Sequence, residues 1–143
     1  MLSAVSALLK KLRDDRGLSL RELAQLAGLD HAYIHRLETG AKKAPSDEAL
    51  NKLIRALKAA KRDGAMLRYV VNHSETDAAL VLHVLTDGTV TYEEFAMAAS
   101  ASYRVNAIPE KLITQIRKIL WDESRRHQSM DPLCRQNLKP NDV

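Results

Sequence analysis

The chain has 143 residues, 45% of them hydrophobic, 28% charged and only 4% aromatic, with a formal net charge of +4. That length suits one domain, or a small domain with an appendage. The single cysteine, Cys134, excludes an internal disulfide, and the longest apolar run, AALVLHVL, falls far short of the ~20 residues of a membrane span.

Charge is unevenly spread. Residues 1–63 hold 13 Lys/Arg against 8 Asp/Glu, a balance of +5, and residues 64–143 hold 9 against 10, a balance of −1. A local basic excess favours a polyanionic partner. The opening MLSAVSALLKKLRDD places its lysines after the apolar residues, the reverse of a secretory signal. These features predict a cytoplasmic protein.

In chain order, Val5, Leu8, Leu9 and Leu12 recur at helical spacing until Gly17. Ser19-Leu20-Arg21-Glu22 is a capping-box pattern and opens a second helix with Leu20, Leu23, Ala24 and Ala27 as its inner stripe. Gly28 ends it, and Asp30 caps a short third helix carrying Ile34 and Leu37 inward, closed by Gly40. Pro45 and Ser46 announce a fourth, with Leu50, Leu53, Ile54 and Leu57 as its stripe. The polar stretch Lys61-Arg62-Asp63-Gly64 reads as a break and sets the domain boundary.

Beyond it, Met66, Leu67, Val70 and Val71 suggest a short helix, and Asp77 caps another running through Leu85. Thr91-Tyr92-Glu93-Glu94 is a second capping box, opening a helix toward Ser102. Pro109 begins a last helix with Leu112, Ile113, Ile116, Ile119 and Leu120 inward and Trp121 near its end. A rival reading turns residues 79–92 into a β-hairpin around Asp87-Gly88; helices are the favoured reading. From Gln128 the polar tail is expected to be disordered.

Two short helices joined by a tight Gly-containing turn form a helix-turn-helix. The combination of Leu9, Leu12-Arg13, Gly17-Leu18-Ser19, Glu22-Leu23-Ala24, Ala27-Gly28, Tyr33-Ile34 and Leu37-Glu38 with Gly40 resembles the Xre/Cro-type family of bacterial and phage repressors. The resemblance spans roughly Val5 to Leu57. It implies a lambda-repressor-like domain over 1–63, and the helical patterns beyond it complete an all-α reading, with a helical dimerisation or partner-binding region over 64–127 and a tail over 128–143.

By position, the resemblance places His31, Ala32, Tyr33, His35 and Arg36 toward DNA bases, since the second helix of the pair enters the major groove. A bidentate arginine–guanine pair at Arg36 is worth ~1–3 kcal/mol of discrimination. Ser19, Arg21, Thr39, Lys42 and Lys43 would position the phosphate backbone, and Arg13 and Glu38 match an internal salt bridge of the family. Leu20 departs from it, standing where members often carry a Gln or small polar residue that touches DNA.

The functional expectation is a sequence-specific transcriptional regulator, a repressor on a palindromic operator, binding double-stranded DNA as a homodimer. The alternative is an antitoxin or partner-binding protein whose C-terminal region grips a toxin or protease and which autoregulates through the same domain.

Other chemistry is thinly supported. His31 and His35 are four apart but lack further zinc ligands, so no metal and no cofactor is expected. HVLTDGTVTYEEF resembles the second half of a calcium loop, yet His83 and Leu85 would stand where oxygen ligands are required. With no nucleophile motif and no phosphate-cradling Gly loop, no enzyme is expected.

Overall fold

In a computed structural model the chain is described over residues 3–102 and 108–137, with side chains described to 101 and over 108–126. Eight helices follow one another: α1 Ala4–Asp15, α2 Leu20–Ala27, α3 His31–Thr39, α4 Asp47–Leu57, α5 Lys61–Asn72, α6 Ala78–Thr86, α7 Tyr92–Ser102 and α8 Pro109–Asn137. There is no strand among the described residues. Residues 79–92 therefore form α6, a turn and the start of α7 rather than a hairpin.

Local chemistry explains most helix starts. Ser3, Ser19, Asp30, Ser46 and Asp77 each sit in extended backbone and accept a first-turn amide on their side-chain oxygen, and Thr91 Oγ1 accepts the Glu94 amide at 3.1 Å. The stops of α2 and α3 need left-handed backbone, supplied by Gly28 at φ 67° and Gly40 at φ 83°. At the end of α4 the same conformation is held by Lys58, φ 46°, the one described non-glycine residue with positive φ.

The core is continuous from α1 to α8. Leu8, Leu9, Leu23, Ile34, Leu37 and Leu53 are buried with Met66, Leu67, Val70, Leu80, Val84 and Phe95 in one cluster, joined by Leu112, Ile113 and Ile116. α1 is its axis, packing against α3, α5 and α6. Burying an aliphatic side chain contributes about 1.5–3 kcal/mol, so the shared cluster gives the first four helices and the rest a common stability.

Two expectations need correction. Lys61 to Gly64 is no break but the first turn of α5. Arg62 donates from Nη1 to the carbonyls of Asp87 at 2.8 Å and Val90 at 3.0 Å, tying α5 to the α6–α7 turn. A Cβ on Gly64 would lie 3.4 Å from Ile54 Cγ2, an ordinary contact distance, so the glycine is tolerated in the helix rather than required there. Secondly, α8 does not end near Trp121: it continues through Gln128 to Asn137, so the expected tail is helical up to that residue, and 138–143 lie outside the described residues. No helix among the described residues is long and apolar enough to cross a membrane.

Candidate nucleic-acid interface

The geometry of α2 and α3 begins with what they bury. Leu23, Ala24 and Ala27 of α2 face Ile34 and Leu37 of α3, both completely buried. Ala24 keeps the crossing close. Leu20 is half-buried against the same cluster, so it packs inward and is spent on the core.

With Ile34, Leu37 and Glu38 inside, the opposite side of α3 is a continuous exposed stripe of His31, Ala32, His35, Arg36 and Thr39. Tyr33 stands at its edge. Its ring lies beneath the Lys42 ammonium, 5.0 Å from the ring centroid, and its hydroxyl accepts the Ser46 amide at 3.4 Å. Tyr33 thus links the exposed stripe of α3 to the start of α4. Among the described residues no group of three or more His, Cys, Asp or Glu side chains is placed to hold a metal ion; Asp30 Oδ1 lies 3.5 Å from His31 Nδ1.

Three contacts fix α3 on the domain. Arg13 grips Glu38 bidentately, Nε to Oε2 at 2.8 Å and Nη2 to Oε1 at 2.9 Å, and donates from Nη1 to the Leu18 carbonyl at 2.7 Å. The hydrogen bonds to Glu38 raise the Arg13 pKa above the ordinary arginine value, against the opposing pull of burial. Ser6, buried in α1, donates from Oγ to the Leu37 carbonyl at 2.7 Å. That last contact has only a faint sequence signal, a serine set inside the apolar stripe of α1.

The positively charged groups flank the stripe. Arg21 is exposed in the first turn of α2, whose leading amides have no intrahelical partner. Ser19 Oγ already accepts the Glu22 amide at 3.1 Å, and Thr39 Oγ1 donates to the Arg36 carbonyl at 3.3 Å. Lys42 and Lys43 are exposed on the loop after α3. A groove of about 480 Å³ runs from the α2–α3 turn to α4, with Arg36, Lys42 and Lys52 among its lining.

Residues 4–65 match the family described as a helix-turn-helix domain. The N-terminal part of this protein is a helix-turn-helix domain. Domains of this kind bind DNA with the second helix of the pair in the major groove, and α3 occupies that position here. No curated protein matches the chain. The crystal structure of the clp gene regulator ClgR from C. glutamicum is similar at 33% identity, covering 50% of this chain and 88% of that one, with a TM-score of 0.41. Outside the helix-turn-helix domain, Glu94 and Asp87 of the calcium-loop-like stretch are engaged within the protein. Arg117 Nε donates to Glu94 at 2.7 Å. Asp87 Oδ1 accepts the Thr89 amide and hydroxyl at 3.0 and 2.6 Å, which holds the Asp87 carboxyl below the usual carboxylate range.

Proposed function

We propose that the protein is a sequence-specific transcriptional regulator, a repressor that binds a palindromic operator as a homodimer with α3 in the major groove. The observation that carries this reading is the exposed stripe of α3, held in place by the Arg13–Glu38 pair and flanked by Arg21, Lys42 and Lys43. In this reading His31, Ala32, His35 and Arg36 face base edges, with Tyr33 at the margin. Arg36 has the fork geometry for a guanine and Ala32 the size for a thymine methyl. The α2 start at Ser19, with Arg21, Thr39, Lys42 and Lys43, contacts phosphates and sets register rather than sequence.

Residues 1–63 then read DNA, and residues 64–127 join two copies so that their reading helices meet half-sites ~34 Å apart. The test is selection of bound duplexes from a random pool, with the mass of the protein–DNA complex measured alongside. A palindromic consensus and a dimer mass support the proposal; no enriched sequence overturns it.

A further inference from the structure

A cavity of about 340 Å³ lies where α1, the loop after α3 and α5 meet. Its walls are Ala4 and Val5 of α1, Gly40 and Ala44 of the loop, and Val70 and Val71 of α5. Ser74 adds a hydroxyl, that of Ser3 is engaged with the Ser6 amide and hydroxyl, and Lys43 is the sole charged residue in the lining. No ion pair engages Lys43 among the described residues, whereas Arg13, Arg62 and Arg117 each have a carboxylate. Aliphatic walls, one hydroxyl and one unpaired cation at the rim are the composition of a small-ligand pocket at the lower end of the usual size range.

We infer that this cavity binds a short or branched aliphatic carboxylate, its hydrocarbon against the half-buried Val71 and Ala44, with the buried Val5 and Val70 behind them, and its carboxylate on Lys43. Charge selects the ligand: no acidic side chain lines the site, so an anionic head meets attraction without repulsion, while the small volume excludes a nucleotide or a peptide. The site is also where the DNA-facing loop meets the region after the helix-turn-helix domain. Gly40 ends α3, and the Lys42 amide donates to the Arg36 carbonyl at 3.0 Å, so the loop is tied to the reading helix.

The regulatory consequence rests on the proposed role of Lys43 at phosphate. A carboxylate on Lys43 takes that cation from the DNA backbone, and linkage makes the effect reciprocal: DNA weakens ligand binding by the same factor. Occupancy should lower operator affinity about 5- to 10-fold, within the range typical of coupled sites, and make the salt dependence shallower by about one counterion per protomer.

The test uses the full chain and 4-methylpentanoate, with 4-methylpentanamide as its uncharged counterpart. Thermal unfolding without DNA reads ligand binding by itself. The carboxylate raises the midpoint, the amide does so markedly less, and both Lys43→Gln and Val71→Phe remove the shift, with helicity of each variant checked by circular dichroism. No shift with wild-type protein overturns the site. Equal shifts with the two compounds, or an undiminished shift in Lys43→Gln, overturn the assignment of Lys43, and an undiminished shift in Val71→Phe overturns the location. DNA titration is a separate arm. If the protein binds the carboxylate but no DNA, the regulator reading fails and the pocket stands; if it binds DNA with affinity indifferent to a saturating carboxylate, the coupling fails.

Discussion

Removing the Glu38 carboxylate tests how α3 is held. Its side chain is 6% exposed and that of Arg13 14%, so the bidentate pair is largely out of water. Glu38→Ala deletes two hydrogen bonds of 2.8 and 2.9 Å and leaves Arg13 with the Leu18 carbonyl and a distant Asp14, 3.7 Å away. Breaking a buried pair by removing one partner costs about 3–5 kcal/mol. The remaining carbonyl contact and the residual exposure of Arg13 put this case near the lower end, about 3 kcal/mol, equivalent to a fall in Tm of about 10 °C. Removing both charges with matched apolar side chains, Arg13→Met with Glu38→Leu, should recover most of that loss, because no unpaired charge is left behind. Urea unfolding of wild type, both single variants and the double variant gives the coupling energy directly. A loss below about 1 kcal/mol in Glu38→Ala, the value of an exposed pair, would refute the claim that this pair fastens α3.

Other outcomes follow from single positions. Lys58→Gly should stabilise the protein by about 0.5–1 kcal/mol, since a lysine held at φ 46° bears the left-handed penalty that glycine escapes; urea midpoints check it. Gly64→Ala should also stabilise, by about 0.5 kcal/mol, from better helix propensity at a site where the new methyl would lie 3.4 Å from Ile54; a lower midpoint would show that α4 and α5 cannot give way. The Thr89 hydroxyl and amide hold the Asp87 carboxyl below its ordinary pKa. A depressed folded-state pKa contributes stability that is complete above the ordinary carboxylate range and fades as pH falls through the folded value. Thr89→Val removes the hydroxyl donor, so the Asp87 titration should move upward toward the ordinary range by carboxyl NMR. An unmoved midpoint would assign the depression to other groups.

How much of this could be read from sequence differs by residue. Helix starts were legible because they are local: Ser19, Asp30, Ser46, Asp77 and Thr91 each announce a cap within three residues. The inward stripe of α3 was legible for the same reason, and the outward stripe follows from it. The start of α5 was hidden because Lys61-Arg62-Asp63-Gly64 is polar and carries a glycine, like a loop. Only the partners of Arg62, two carbonyls 25 and 28 residues away, show why those residues suit a helix there. The far half of α8 was hidden because the exposed residues 121–126 carry no apolar periodicity to read. Tyr33 shows a third kind of opacity: its place in the motif suggests the DNA face, while its ring and hydroxyl turn to Lys42 and Ser46.

The central claim, that α3 reads bases while its flanks hold phosphates, is tested most directly by the ratio of specific to non-specific DNA affinity at fixed salt for wild type, Arg36→Ala and Arg21→Ala. Arg36→Ala should lower the ratio by about 10- to 100-fold per half-site, the worth of a bidentate base contact. Arg21→Ala should instead weaken both affinities alike and make the salt dependence shallower. An unchanged ratio in Arg36→Ala, with the fold intact, would contradict that claim.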